Sequence, residues 1–493
     1  MSDEVFLKYV DNVHVKVIAN PGILKELGDE FTFFAPNYKF HPKYRSRMWD
    51  GRIRLVNYLT GTLYAGLAQR VKKWCESRDY EFRLDDKLLY EDVSEHEIKE
   101  HINKLKITTK FDEREYQVDS IIKCIRTGRR TLLSPTSSGK SLIIYVISTW
   151  YAKHKKLIIV PTISLVNQLE GDFRDYGYKG KVHKSTDKGG LSKEMNIKAD
   201  IVITTWQSLN NGKTRMPKGW YNQFGVVFGD EAHGAKATSL IQILSEMKNC
   251  RYRFGTTGTL DGEPLNETTI EGLFGPRYQS ITTRELIDQG FASKFQVKCL
   301  LLRYPDADCK AVKGMKYQDE VNFLINHPKR NKFIKNLTLS LKGNKLVFFR
   351  QRDHGDILYQ LIMDGKKKKN VFYIDGTISG DMREQIRHAI EDEKDATLLA
   401  SLGTTSTGTN IKRLHHMISA WLGKGRIKVL QSIGRMLRLH AEKEAEGAIL
   451  YDIVDDLSIK THQNYALKHF TQRCAIYDSE EFDYKIYQIG LSK

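Results

Sequence analysis

Two stretches of this sequence hold residue types that can do phosphate chemistry. The first is Ser134-Pro135-Thr136-Ser137-Ser138-Gly139-Lys140-Ser141, which follows an apolar, strand-like run and leads into the helix-like LIIYVISTWYAK. Small residues let backbone N–H groups face phosphate oxygens, and the N-terminus of the following helix adds its dipole. In that frame the whole loop cradles a nucleotide, Lys140 reaches its β- and γ-phosphates, and the Ser141 hydroxyl ligates Mg2+. The general pattern has Gly where this chain has Ser134. The sequence also supplies a control: Gly212-Lys213-Thr214 repeats the Gly-Lys-Thr, but Gln207 occupies the leading-glycine position and the flanks are polar, so it reads as a surface loop.

The second stretch is Gly225-Val-Val-Phe-Gly-Asp-Glu-Ala-His233, an apolar run ending in two acids. Asp230 is placed to hold Mg2+, directly or through water, and Glu231 to act as general base by orienting an attacking water. An isolated Asp-Glu pair reads as a solvated strand end. With a phosphate loop in the same sheet, the pair points to ATP hydrolysis.

These groups need a scaffold that brings strand ends together. Short apolar runs alternate with helix-like segments in two series: Thr131–Leu133, Lys156–Val160, Asp200–Thr204, Val226–Gly229 and Tyr252–Gly255, then Lys345–Arg350, Val371–Ile374, Ala396–Ser401, His416–Ala420 and Ala448–Ile453. Such alternation predicts right-handed βαβ units and two parallel sheets, with ligands at the C-terminal ends of the strands. Residues 92–113 are highly charged and carry Ile98, Ile102 and Leu105 at helical spacing, which predicts a connecting helix and a domain boundary. The expected organisation is α/β: a small basic α+β domain (1–90), an ATP-binding lobe (91–285) and a C-terminal lobe (286–493). The run Lys366–Lys369 reads as a solvated turn.

Of the 493 residues, 78 are Lys or Arg and 60 Asp or Glu, a formal charge of +18 that favours a polyanionic partner. The six cysteines form no CxxC pair, so neither a zinc site nor a disulfide framework is expected, which suits a reducing cytoplasm. No apolar run has the length of a membrane span, and MSDEVFLKYV has no secretory pattern.

Other motifs now fall into order. Asp-Glu-Ala-His is the signature of one branch of the superfamily 2 helicases, and the chain resembles that superfamily over roughly residues 110–455. Arg114-Glu-Tyr-Gln117 resembles the adenine-reading Q motif, with Gln117 the expected base contact. Val160-Pro161-Thr162, with Leu165 and Gln168, resembles motif Ia. Thr204-Thr205-Trp-Gln207-Ser208 resembles motif Ic. Gly255-Thr-Thr257-Gly-Thr259 is similar to motif III, which with His233 couples the ATP site to the strand. Gly403 to Asn410, containing Thr404 and Gly408, resembles motif V, and Gln431-Ser-Ile-Gly-Arg435-Met-Leu-Arg438 resembles motif VI. The resemblance implies two RecA-like lobes. It puts Pro161, Thr162, Thr205, Gln207 and Thr404 on the nucleic-acid backbone and Gly408 and Gln431 at the nucleotide. Arg435 and Arg438 face the γ-phosphate, with Arg438 first choice for the arginine finger. Such a finger is typically worth about 10³–10⁵ in rate, and because it comes from the other lobe the site is complete only on closure. The segment 258–290 with Arg303–Asp306 and Asn410–Ile418 is most similar to the UvsW helicases of tailed phages. That narrower resemblance implies remodelling of branched DNA: fork regression, junction migration, and unwinding of D-loops and R-loops in recombination, repair and replication. It implies ATP and Mg2+ as cofactors and branched or forked DNA as partner. Further expectations are contacts with RNA–DNA hybrids and with single-strand-binding or recombination proteins, a monomer, and a location in the cytoplasm of an infected bacterial host.

Residues 1–90 hold no motor motif. In Asn37–Arg54 the basic residues Lys39, Lys43, Arg45, Arg47, Arg52 and Arg54 alternate with aromatics, so they are expected to grip phosphates while Tyr44 or Trp49 stacks on an exposed base. The alternative is a β-rich domain whose basic residues surround a core Trp. Asp50-Gly51 reads as a hairpin turn. For the whole chain two rival functions stay open: a duplex translocase that separates no strands, and a nucleotide-gated clamp with little turnover. An RNA-directed helicase also fits, since the motor motifs do not distinguish DNA from RNA.

Overall fold

A computed structural model describes residues 3–107, 114–210, 215–236, 238–365, 370–405, 411, 413–440 and 447–491. The Gly212-Lys213-Thr214 control, the Lys366–Lys369 run and Gly408 lie outside the described residues. The chain divides into two compact units: Met1–Ser134 with Gly139–Ile281, and Pro135–Ser138 with Thr282–Lys493.

The first unit begins with a four-stranded sheet of β1 (Glu4–Tyr9), β2 (His14–Ile18), β5 (Thr62–Tyr64) and β6 (Glu81–Leu84), in the order β5-β2-β1-β6. Its inward residues Val5, Leu7, Val15 and Val17 alternate with outward ones, as a half-covered sheet requires. They close over Leu27 and Trp74 from the helices Pro21–Glu30 and Ala68–Glu76, and over Phe31, which caps the first of these. The two short strands β3 (Thr32–Phe34) and β4 (Arg52–Arg54) pair antiparallel beside it.

The second part of this unit is a seven-stranded parallel sheet. Its strands are β7 (Arg129–Leu133), β8 (Lys156–Val160), β9 (Val182–Lys184), β10 (Ile201–Thr205), β11 (Val226–Asp230), β12 (Tyr252–Thr257) and β13 (Arg277–Gln279), in the order β13-β7-β12-β11-β8-β10-β9. β8 and β10 are buried along their whole length, the mark of a sheet covered on both faces. The helix Lys140–Trp150 is apolar nearly all round, with Leu142 to Ser148 buried, so it is an interior helix rather than an amphipathic one. The helix Glu95–Lys104 starts on a Ser94–Glu97 capping box. It is more than the connection its charge suggested: Ile98 and Ile102 are buried in the same core as Ile143, Ile158 and Phe254.

The four-stranded domain is fastened to the parallel sheet by specific contacts. Arg129 Nη2 donates to the Asn12 carbonyl at 2.8 Å, Arg70 Nη1 to Thr268 Oγ1 at 2.9 Å, and Asn12 Nδ2 to the Lys248 carbonyl at 2.9 Å. The Ala65–Leu67 turn lies so close to the Glu271 and Gly272 carbonyls that a Cβ on Gly66 would overlap them.

The second unit carries its own seven-stranded parallel sheet: β14 (Phe295–Arg303), β15 (Lys345–Phe349), β16 (Val371–Ile374), β17 (Thr397–Ser401), β18 (His416–Ser419), β19 (Ala448–Asp456) and β20 (Tyr484–Gly490), in the order β16-β17-β15-β18-β19-β14-β20. Its core includes Val347, Phe349, Leu399, Ile418 and Ile453. Two ion pairs are buried within it, Arg330–Asp455 and Arg473–Asp452, each at 2.8 Å. Arg330 Nη2 also donates to the Ala420 carbonyl at 3.2 Å, pinning the chain where it leaves β18. The sequence expectation of an α/β chain with two parallel sheets behind a small α+β domain holds.

Candidate nucleotide and nucleic-acid sites

The phosphate loop connects β7 to the helix Lys140–Trp150. Gly139 caps that helix at φ 82°, in the left-handed region that glycine tolerates, and the Gln117 amide occupies the space a Cβ there would need. Ser137 is also left-handed, at φ 71°. Ser134 is not. Its N–H bonds the Thr257 carbonyl at 2.8 Å and its carbonyl accepts from Lys140 Nζ at 3.3 Å, so the departure from glycine at this position costs the loop nothing conformationally. Ser138 Oγ donates to the Pro135 carbonyl at 2.7 Å, closing the turn that Thr136 and Ser137 span.

β11 lies next to β12 and delivers Asp230 and Glu231 at its C-terminal end. Gly229 precedes them because the Phe274 ring of the helix Pro264–Phe274 fills the place of its side chain. Lys140 Nζ stands 3.3 Å from Glu231 Oε1, bringing the two signature stretches together. Glu231 itself has φ 53°, a conformation that costs a non-glycine residue about 1–3 kcal/mol and is characteristic of functional sites. Its other oxygen, Oε2, lies 3.2 Å from His233 Nδ1, and His233 Nδ1 lies 3.0 Å from Thr257 Oγ1. Thr257 donates in turn to the Thr259 carbonyl at 2.9 Å. Burial alone would raise the Glu231 carboxyl, but the Lys140 ammonium and the His233 hydrogen bond outweigh it and hold the group down at about 2. Asp230 goes the other way: burial, then the neighbouring Glu231 charge, push it above the ordinary carboxylate range. Its Oδ1 accepts from Thr256 Oγ1 at 2.7 Å.

Ser141 Oγ shares a 2.9 Å hydrogen bond with Tyr176 OH, a partner that nothing in the sequence pattern announces. Among the described residues no three His, Cys, Asp or Glu side chains gather as a metal cage. One hydroxyl and one carboxylate fit a divalent cation that completes its shell with nucleotide phosphates and water, as Mg2+ does, and not a protein-only site.

Gln117 is buried at the N-terminus of the helix Glu115–Thr127, where its Oε1 accepts from the Arg114 N–H at 3.4 Å. Pro161 and Thr162 follow β8, Thr205 ends β10 and Gln207 lies just beyond it, so both pairs sit at neighbouring strand ends. The Thr162 and Thr205 hydroxyls cap the helices Ile163–Asp175 and Trp206–Leu209, and Gln207 is exposed. Ile163, next in the chain after Thr162, is 61% exposed, an apolar residue that the sequence reading did not single out. In the second unit, Thr404 lies on the turn Leu402–Thr405 after β17, and Gln431 and Arg435 on the helix Arg426–Met436. Arg438 follows that helix, with its carbonyl accepting from Ser293 Oγ at 2.8 Å.

The basic stretch 37–54 corrects one expectation, the turn, and goes against the alternative of a core Trp. Asp50-Gly51 is no tight hairpin turn: β3 and β4 are joined by the whole excursion 35–51, closed by the Ala35 N–H to Gly51 carbonyl bond at 2.8 Å. Trp49 belongs to no core. It lies half-buried on the surface, its Nε1 donating to the Arg52 carbonyl at 3.0 Å and its ring edge-on to His41. Lys39, Lys43, Arg45, Arg47, Arg52 and Arg54 are all exposed, although Arg54 pairs with Asp50 at 2.5 Å and Arg52 lies over Phe34. Lys39, Tyr44, Arg45, Arg47 and Trp49 line an open cavity of about 590 Å³, with Phe40 and Met48 exposed beside it.

No helix among the described residues is long and apolar enough to cross a membrane. Residues 4–85 match the family model of the N-terminal domain of the DNA helicase UvsW. Residues 100–262 match that of the res subunit of type III restriction enzymes, and 328–440 the helicase conserved C-terminal domain. The ATP-dependent DNA helicase uvsW of Enterobacteria phage T4 is 33% identical over 99% of this chain and 100% of its own length. The crystal structure of T4 UvsW matches with a TM-score of 0.51 at 32% identity, covering 99% of this chain and 100% of that one. The DNA 3'-5' translocase XPB2 of Sulfurisphaera tokodaii is 21% identical over 71% of this chain and 82% of its own. With its two parallel-sheet lobes, its phosphate loop facing an Asp-Glu-Ala-His strand end and this full-length similarity, the chain belongs to the UvsW family of ATP-dependent DNA helicases.

Proposed function

We propose that this chain is an ATP-driven motor that remodels branched DNA. The observation that carries the reading is the cluster Lys140–Glu231–His233–Thr257: a lysine at the phosphate loop, a carboxylate kept ionised beside it, and a path from that carboxylate to Thr259. In this reading the phosphate loop 134–141 and Gln117 hold ATP, with Gly408 and Gln431 as further contacts. Mg2+, held by Ser141 and Asp230 with the nucleotide, neutralises charge on the phosphates. Glu231 orients the attacking water by accepting a hydrogen bond from it, which its ionised state allows. Arg435 and Arg438 stabilise charge on the transferring phosphoryl group, which a planar guanidinium fork does better than lysine. His233, Thr257 and Thr259 relay the state of the ATP site.

Pro161, Thr162, Thr205, Gln207 and Thr404 contact the nucleic-acid backbone from strand ends, where ligands of parallel sheets bind. The exposed loop 35–51 adds a second grip through Lys39, Lys43, Arg45, Arg47, Arg52 and Arg54, with Trp49 or Tyr44 against a base. Two grips on one molecule suit a substrate with more than one arm, and the T4 relative is named a DNA helicase. The site of action is the infected bacterial cell, with recombination and single-strand-binding proteins as co-workers. A duplex translocase is the second reading, favoured by the name of the archaeal relative. The test measures ATPase stimulation by single-stranded, duplex, forked, four-way and RNA–DNA substrates, with strand displacement on forks against blunt duplex. Preference for forks with displacement supports the proposal. Equal stimulation by blunt duplex without displacement selects the translocase, and no stimulation by any nucleic acid defeats both.

A further inference from the structure

The second unit holds a cavity of about 220 Å³ that no part of the motor uses. It opens at the C-terminal ends of β15 and β18. Arg350 and Gln351 follow β15 directly, Trp421 leaves β18, and Tyr317 and Gln318 begin the helix Tyr317–Asn326. β15 also neighbours β17, whose end leads into Thr404, so the cavity shares its sheet edge with a residue proposed to touch the nucleic-acid backbone.

Three observations say what would fit. The first is an unmet donor: Trp421 is only 7% exposed and its indole N–H meets no acceptor among the described residues. A buried donor without an acceptor is costly, so an acceptor on a ligand would find a partner there. The second is the lining. Tyr317 contributes a half-buried ring beside Trp421, Gln318 and Gln351 offer amides that both donate and accept, and the exposed Arg350 stands at the rim. No lining residue is acidic, and His354 at the floor is held neutral, down at about 3, by burial and by Arg330. The third is size: the volume lies below the roughly 300–1,000 Å³ of pockets for larger ligands and suits one planar ring system. Arg330 fixes the geometry by binding Asp455 and the Ala420 carbonyl, immediately before Trp421.

We infer that this cavity receives a single unstacked base of the strand that the motor tracks, with Tyr317 against its face, the Trp421 N–H and the glutamine amides at its edge and Arg350 on an adjacent phosphate. Stacking and amide pairing accept any base, so the site would hold a strand without reading its sequence. The inference rests on the DNA-motor reading above.

The test uses the full-length chain and a single-stranded oligonucleotide carrying 2-aminopurine, whose fluorescence reports unstacking, alongside the same strand with abasic sites. Wild type should change the 2-aminopurine signal and bind the abasic strand about tenfold more weakly, the scale of one stacked base. Tyr317→Ala should lose the signal change and the preference for intact strands. Gln318→Ala and Arg350→Ala alter exposed side chains that leave the core intact, and each should weaken binding to the intact strand severalfold. The inference is overturned if these variants bind and signal like wild type, or if wild type does not distinguish abasic from intact strands. It is also overturned if adenosine monophosphate alone competes as well as the strand, which would assign the cavity to a free nucleotide. Wild-type ATPase on the same oligonucleotide separates the two claims. Stimulation with unaffected variants removes only the base pocket, whereas no stimulation removes the motor reading.

Discussion

Glu231 is held between two nitrogen groups of different kinds: Lys140 Nζ lies 3.3 Å from one carboxylate oxygen and His233 Nδ1 lies 3.2 Å from the other. The lysine comes from the phosphate loop and the histidine from the segment that reaches Thr257. A change at either side is therefore felt by the same carboxylate.

Lys140→Ala removes the ammonium from the phosphate loop. ATP turnover should fall by at least about 10²-fold, the usual cost of losing one charge-stabilising group. Binding of fluorescently labelled DNA should stay near wild type, because Lys140 is not among the proposed DNA contacts. Retained turnover in a phosphate-release assay would remove the phosphate-loop assignment.

Glu231→Gln keeps the shape and removes the proposed base. ATP should still bind, in filter or calorimetric assays, while hydrolysis drops about 10²–10⁴-fold, the range for a lost general base. A variant that hydrolyses normally would transfer that role elsewhere.

Gly229 and Phe274 offer a test of the fold that supports the acids. Gly229→Ala puts a methyl group into the Phe274 ring and should destabilise the chain by about 1–3 kcal/mol, read as a lower denaturant midpoint. Adding Phe274→Leu should recover part of that loss. A double mutant no more stable than the single one would show that the clash is relieved by other means.

For the loop 35–51, replacing Arg45, Arg47 and Arg52 with Ala should weaken DNA binding and flatten its salt dependence. On duplex, the slope of log K against log salt should become shallower by about 0.9 for every phosphate that is no longer neutralised. Overlapping salt titrations of variant and wild type would move the grip elsewhere on the chain.

His354 makes the second unit acid-sensitive. Its folded-state value, about 3, lies below the ordinary histidine value of 6.5, so the unfolded chain takes up the proton first. Stability is therefore full above about pH 6.5 and falls as pH drops toward about 3, by at most roughly 1.4 kcal/mol per pH unit for one such group. Denaturant midpoints measured between pH 7 and pH 4 should show this slope, and His354→Gln should flatten it.

Much of the motor could be read from residue order because its chemistry is local. The phosphate loop and the Asp-Glu pair sit at strand ends, and each expected strand of the two series is present where short β-branched runs announced it. The strands that escaped notice lacked that signal: β9 and β13 are three residues long and polar, and the edge strand β20 is largely exposed. β14, though apolar, lay in the stretch read as the gap between the two series. Ser141 meeting Tyr176, and Phe274 dictating Gly229, are contacts between elements far apart in sequence, and no spacing rule predicts them. The loop 35–51 misled for a related reason: Asp-Gly implies a tight turn only when strands flank it directly, and here β3 ends well before it.

The contact of the Ala65–Leu67 turn with the Glu271 and Gly272 backbone, reinforced by Arg70 and Arg129, has a mechanical meaning. A domain hung on a flexible tether samples angles freely, whereas this one is keyed backbone to backbone onto the body that carries Lys140 and Glu231. The basic loop is thus an outrigger on the ATP-binding lobe: any swing of that lobe carries the loop through the same arc, and a DNA arm held there would be levered rather than merely retained.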